Sequence, residues 1–249
     1  MFAQTILNHS PDLDGPGEWY EYYVDTPAVP WNAANSIFSF FFGINDNDAI
    51  VQNGVTDNAT AVADQNADLA TYRSTLEFVS SISFTRAIFF PKCSIHLTHD
   101  HLAQVYKQGG RNFLIINCPP VERTPFWLVG ANDTQRAELN ALVRSWNNGL
   151  QSMMSSMQAA HPDVTMFYYD VWTTMGAVMT NPAVRAQTAQ YNNTNGWCSA
   201  YFYGTGGNTT YCDSSCSFGC INNYMFGDWL HPTWPFHQVM AAEITALLS

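Results

Sequence analysis

Three short apolar runs, each followed by a stretch of helical character, constrain this chain more than any other feature. Ile37 to Phe42 ("IFSFFF"), Asn112 to Asn117 ("NFLIIN") and Val164 to Asp170 ("VTMFYYD") are too short and too continuous for amphipathic helices. They read as strands buried on both faces. Helical patterns lie between and after them: roughly Ala61 to Phe78, Asn132 to Ala160 with Asp133 or Thr134 available as its cap, and Val171 to Met179. A closing helix is entered through proline at "HPTWPFHQVMAAEITALLS". "CPPVERTP" is expected to be a loop. Strand, helix, strand, helix at these spacings predicts an α/β fold with a parallel sheet and crossover helices, in a single domain spanning 1–249.

An apolar fraction of 47% is ample for a core. Nine basic against twenty acidic residues leave a net charge of −11. Nucleic acid and anionic membrane surfaces both require a basic face, so neither is expected as a partner. No apolar run approaches the length of a membrane span, so no membrane insertion is expected. The opening "MFAQTILNHSPDLDG" has neither the basic start nor the apolar stretch of a signal peptide.

Other features point outside the cell. Sequons occur at Asn8, Asn58, Asn132, Asn192 and Asn208. Four of six cysteines (Cys198, Cys212, Cys216 and Cys220) crowd into one Gly/Asn/Ser-rich stretch. They read as a disulfide-stapled loop whose connectivity the spacing leaves open. An extracellular protein is expected, its signal peptide lost with a missing N-terminus.

Val79 to Gln104 breaks the pattern. It holds His96, His99 and His101, one of the two lysines and the isolated Cys93. Removing it joins "ATYRSTLEF" to "VYKQGGRN", so that Leu69, Tyr72 and Leu76 are followed at helical spacing by Val105 and Tyr106. Gly109-Gly110 then provides the stop. Val79-Ser80, Leu97-Thr98 and Gln104 can encode splice-donor, branch-point and acceptor patterns. Residues 79–104 are therefore read as an aberrant insertion, a retained intron translated in frame. The alternatives are a surface insertion and, from the three histidines, a metal site; neither metal nor organic cofactor is expected.

The candidate chemistry lies at two places. In "GDWLHPTWPFHQ", Asp228 stands three residues before His231. A carboxylate there can hold one ring nitrogen and leave the other free as a general base. The plainer alternative is that Asp228 caps the turn and His231 merely enters a helix whose Pro232 fits its first turn. The second place is Gly43-Ile44-Asn45-Asp46, at the carboxyl end of the first strand, where parallel sheets gather ligands. Gly43 permits close backbone approach, the Asn45 amide can donate to a developing oxyanion, and Asp46 can brace the loop through backbone amides. Taken alone, this tetrapeptide suits any strand-to-helix turn.

Together, "GIND" followed by "DWLH" resembles the third (G-x-N-D) and fifth (D-x-x-H) blocks of the SGNH, or GDSL-type, hydrolases. "GGRNFLIINCPPVERTP", "YYDVW" and the Cys-rich lead into "FGDWLHPT" are similar to fungal GDSL esterases close to carbohydrate esterase family 16. The resemblance runs from about residue 15 onward, except for 79–104. It implies a three-layer, SGNH/flavodoxin-like fold and metal-free acyl transfer through a seryl ester of a small ester or acetylated carbohydrate. It makes His231 the base, Asp228 its orienting acid, Asn45 and Gly43 the oxyanion hole and Asp46 its support. Two alternatives remain, a non-catalytic glycan-binding relative and a lipid-ester hydrolase.

The family's first two blocks have no counterpart. No Gly-Asp-Ser occurs, and 42 residues precede Gly43, where two strand-plus-helix units need roughly 60. Ser10 lies in a sequon turn and is a poor substitute nucleophile. The expectation is an N-terminally truncated fold with an exposed edge at the first strand. No nucleophile is then present in this chain, which is predicted inactive as written.

Overall fold

The computed structural model describes residues 32–41, 43, 44, 47, 106, 109–201 and 208–249. Among these lie three strands in the order β1-β2-β3: β1 (Phe38–Phe41), β2 (Asn112–Ile116) and β3 (Thr165–Tyr169). The sheet is parallel, with helices between β2 and β3. The helices are α1 (Pro125–Gly130), α2 (Asp133–Ala160), α3 (Val171–Thr180) and α4 (Trp234–Leu248). The insertion 79–104, the predicted helix Ala61 to Phe78, Ser10, and the sequons Asn8 and Asn58 lie outside the described residues.

The described residues fall into two compact units. The first comprises the described residues of Met1–Phe41, Val62–Ile115 and Asn148–Tyr168. Here β2 is buried through Phe113, Leu114 and Ile115, and Phe38 and Phe40 both pack on the Phe113 ring, at 6.2 and 6.3 Å between centroids. The approach to β1 is pinned by the Asn112 side chain, whose amide donates to the Ala33 and Ser36 carbonyls at 2.6 and 2.9 Å. β1 is an edge strand of the three, and Phe41 at its end is exposed. Gly109 takes φ +101° and donates its N–H to the Tyr106 carbonyl. Glycine takes that left-handed backbone without the clash a Cβ would bring. Asp163 pairs with Arg111 at 2.6 Å, closing the turn into β3.

The second unit comprises the described residues of Phe42–Ala61, Ile116–Asn147 and Tyr169–Ser249. Along α2, this unit's part buries Leu139, Leu142, Val143 and Trp146, the i, i+3, i+4, i+7 stripe of an amphipathic helix. Asn132, rather than Asp133 or Thr134, caps α2. Its side-chain oxygen accepts from Gln135 N–H at 2.9 Å, while Gln135 Oε1 accepts from Asn132 N–H at 3.0 Å. This reciprocal pair is a capping box; it won because Gln135 stands three residues after Asn132 and answers it.

The proline loop also differs from expectation. Val121–Arg123 is a 3-10 turn, and α1 follows at once with Pro125 at its start. Proline's fixed φ suits a first helical turn and its missing N–H is no loss there. Asn147 holds the loop's entry from both sides: its Oδ1 accepts from Cys118 N–H at 2.8 Å and its amide donates to the Cys118 carbonyl at 2.9 Å.

Glu122, in the same turn, is buried. Oε1 accepts from Asn140 at 2.6 Å, and Oε2 meets no donor among the described residues. Burial pushes its carboxyl above the ordinary glutamate range, against the Asn140 bond and the Arg123 charge. A folded pKa above the unfolded value gives a contribution that is complete at low pH and lost as pH rises through the folded value. Glu122→Gln should therefore flatten the stability profile between acid and neutral pH and raise the neutral Tm by about 2–4 °C. Parallel melting curves across that range check it; a lower Tm at every pH would contradict it.

Candidate active site

The loop that carries Asp228 and His231 is closed at its base before any side chain is considered. Phe226 and Pro232 form an antiparallel bridge, and Gly227 N–H donates to the His231 carbonyl at 3.0 Å. Within this loop Asp228 makes an Asx turn: Oδ1 accepts from the N–H groups of Leu230 and His231, both at 2.7 Å. Oδ2 bonds His231 Nδ1 at 2.7 Å. One oxygen caps the turn and the other fixes the imidazole.

Electrostatics follow from this geometry. Partial burial pushes the Asp228 carboxyl up, but two backbone N–H bonds and the imidazole outweigh it, so the group lies below the ordinary aspartate range. The His231 side chain is 75% exposed against 19% for Asp228. With Nδ1 held by the carboxylate, Nε2 is the nitrogen presented for proton transfer, as a general base requires.

Thr233 and Tyr191 anchor the loop to α4, and sequence reasoning missed both. Thr233 Oγ1 donates to the Tyr224 carbonyl at 2.7 Å, so the Tyr191 hydroxyl, 2.9 Å from Oγ1, must be the donor in that pair. The same Tyr191 oxygen accepts from Phe236 N–H at 2.9 Å. It thereby shares this first-turn donor of α4 with the Thr233 carbonyl, which accepts from Phe236 N–H at 3.1 Å, while the Thr233 side chain makes no cap bond. Burial pushes the Tyr191 hydroxyl up to about 12, so it stays protonated at any ordinary pH.

Pro232 lies outside α4, and Pro235 fills the first turn instead, because Thr233 takes the capping position between them. Tyr191→Phe should cost about 1–3 kcal/mol by removing two buried hydrogen bonds. Urea denaturation is the measurement, and unchanged stability would remove Tyr191 from this role.

At the other candidate place, Gly43 is buried with φ +101°. A Cβ built there would lie 2.3 Å from Trp146 Nε1 and 2.5 Å from Cε2. The Gly43 carbonyl accepts from Asn47 N–H at 3.2 Å and from the Asn47 side-chain amide at 2.6 Å. Asn47 is buried and locks the turn; its i+4 spacing from Gly43 was the signal available in the sequence. Asn45 and Asp46 lie outside the described residues, as do His96, His99 and His101. Among the described residues no group of three His, Cys, Asp or Glu side chains is placed to hold a metal ion.

The Cys-rich stretch pairs Cys198 with Cys216 and Cys212 with Cys220, which settles the connectivity that spacing left open. Cys118 is buried. Tyr201, Cys216 and Tyr224 form a small core beneath the stretch. Tyr224 also carries the carbonyl that Thr233 bonds, which links the disulfides to the site loop.

The GDSL-like Lipase/Acylhydrolase family model matches residues 20–244. The chain belongs to this family. Membership implies an α/β, SGNH-like fold, and the parallel sheet with its helices agrees. The chain is 26% identical over 155 residues to an acetylesterase of Thermothelomyces thermophilus, covering 62% of this chain and 41% of that protein. Two GDSL esterase/lipases of Arabidopsis thaliana match at 26% over 151 residues (59% of this chain, 37% of the relative) and 25% over 151 residues (57% and 40%). The GDSL-type chain thus spans about two fifths of the length of these curated relatives. No described helix is long and apolar enough to cross a membrane.

Proposed function

We propose that this GDSL-type chain carries the base-and-acid half of an extracellular carbohydrate acetylesterase. The observation that carries the reading is the His231 Nδ1–Asp228 Oδ2 bond at 2.7 Å, with the imidazole otherwise facing solvent. His231 Nε2 takes the proton of an attacking serine hydroxyl and returns it to the leaving sugar oxygen. Asp228 stabilises the imidazolium formed between those steps. The Asn45 amide and the Gly43 N–H receive the negative charge of the tetrahedral intermediate, and Asp46 supports that loop. No metal or organic cofactor enters.

The 249 residues hold no Gly-Asp-Ser nucleophile block. In this reading they turn over no ester unaided, and residues 79–104 are a retained intron. The acetyl preference is supported by the similarity to a protein named acetylesterase. Two disulfides and the exposed sequon residues Asn132, Asn192 and Asn208 support an extracellular glycoprotein.

A second reading, hydrolysis of longer lipid esters, draws on the exposed Phe126, Leu128 and Val129 of α1. The deciding experiment pairs full-length transcript sequencing with an acyl-chain series. A message that encodes Gly-Asp-Ser and lacks the codons for 79–104 should yield a protein that prefers acetyl over butyryl and octanoyl esters. Preference for octanoyl esters selects the second reading. A message with no such block, translating to a protein that cleaves none of them, overturns both.

A further inference from the structure

Large apolar side chains on a folded surface are informative when they gather. Among the described residues, Trp229 is 44% and Trp234 52% exposed. Both stand in the loop-to-helix segment that holds His231. Trp229 is two residues before that histidine, so its Cα lies within about 7 Å of the His231 Cα. Trp229 occupies the Asx turn itself, between Asp228 and the Leu230 N–H that Asp228 accepts. Its carbonyl accepts from Phe126 N–H at 2.8 Å, which ties the turn to the start of α1.

The Trp229 ring is also held. Trp197 meets it edge to face, with centroids 5.8 Å apart and planes at 83°. Trp197 is itself fixed on two sides. Cys198, next in sequence, is bonded to Cys216. On the other side, Asn193 Oδ1 accepts from Gly196 N–H at 2.7 Å, and the Asn193 carbonyl accepts from Met225 N–H at 2.8 Å. Trp197 and Trp229 therefore rise from two bridged segments, Asn193 with Tyr224, the second of which runs directly into the catalytic turn.

We propose that Trp229, oriented by Trp197, is a stacking platform for the sugar ring of an uncharged O-acetylated oligosaccharide, and that it presents the acetyl ester toward His231. The proposal rests on the esterase reading of the Asp228–His231 pair and adds the ligand's leaving-group side. An indole face carries the negative lobe of the ring quadrupole, and the C–H hydrogens of a pyranose face carry partial positive charge. Such stacking needs a flat ring held at a fixed angle, which the perpendicular Trp197 contact supplies. A lipid surface accepts apolar side chains in any orientation and has no use for that constraint. A net charge of −11 disfavours polyanionic glycans.

The test is binding, so that it stands apart from turnover. Titration of O-acetylated xylo-oligosaccharide into the full chain, followed by calorimetry and tryptophan fluorescence, should show saturable binding with a shift in emission. Trp229→Ala should weaken it about tenfold, the upper range for a single aromatic contact, with Tm unchanged. Trp229→Phe should keep it within about threefold, and deacetylated oligosaccharide should bind more weakly than the acetylated form.

Equal affinity for wild type and Trp229→Ala overturns the platform. So does co-sedimentation with phosphatidylcholine vesicles that depends on Trp229 while no oligosaccharide binds. Equal losses for Ala and Phe, with a lowered Tm, would assign Trp229 a structural role only and also overturn it. If binding and its Trp229 dependence hold while no ester is cleaved even by a protein bearing the Gly-Asp-Ser block, the esterase reading fails and the platform stands.

Discussion

Alanine at position 231 is expected to abolish ester turnover while leaving the fold as it is. In a form of the protein carrying the nucleophile block, the loss should be on the order of a millionfold in kcat, as for bases of comparable triads. The reason the fold should survive is geometric. Asp228 Oδ1 is bonded to the backbone N–H groups of residues 230 and 231, not to the imidazole, so the turn keeps its clasp when the side chain is removed. The Phe226–Pro232 bridge beneath it is likewise independent of the ring. Asp228→Asn should fall less far, by about 10⁴, through the wrong imidazole tautomer. Steady-state hydrolysis of an acetyl ester beside a thermal melt decides the matter; wild-type turnover in His231→Ala would remove the histidine from the chemistry.

Gly43→Ala should be the most damaging change to stability among those considered. The new methyl would lie 2.3 Å from an indole nitrogen whose residue is 3% exposed and has nowhere to retreat. The backbone there also sits at φ +101°, which L side chains resist. Overpacking and left-handed strain together amount to roughly 2–5 kcal/mol. Equilibrium unfolding in urea measures it. A rescue by Trp146→Phe, which removes the atoms nearest the methyl, should recover part of the loss. A Gly43→Ala protein as stable as wild type would show that this contact is not close.

Much of this was legible in the sequence. The strands at Phe38–Phe41, Asn112–Ile116 and Thr165–Tyr169 fall inside the predicted runs, and α2 and α3 lie within a residue of their expected limits. Period and length speak clearly for such elements because burial enforces them along the whole segment. The Asp228–His231 contact was legible for a different reason, since a short turn leaves two side chains at that spacing few ways to avoid each other.

What stayed hidden depends on partners distant in sequence. Tyr191 reaches Thr233 and Phe236 from more than forty positions away, and no local pattern marks a tyrosine as the cap of another segment's helix. The Asn132–Gln135 box was local and readable, but adjacent Asp133 and Thr134 offered equally plausible caps. The pairing of Trp197 with Trp229 likewise needed the fold to bring the two segments side by side.

The double duty of Asp228 has a consequence for acid. Its carboxyl contributes stability above the unfolded aspartate pKa of about 3.9, and the contribution is lost as pH falls through the lower folded value. The proton that ends that contribution also removes the imidazole's counter-charge and weakens the clasp on residues 230 and 231. Loss of the imidazole's partner and loosening of the loop are therefore one titration, not two. On neutralisation both should return together, so that acid exposure leaves a reversible conformational signature in this loop.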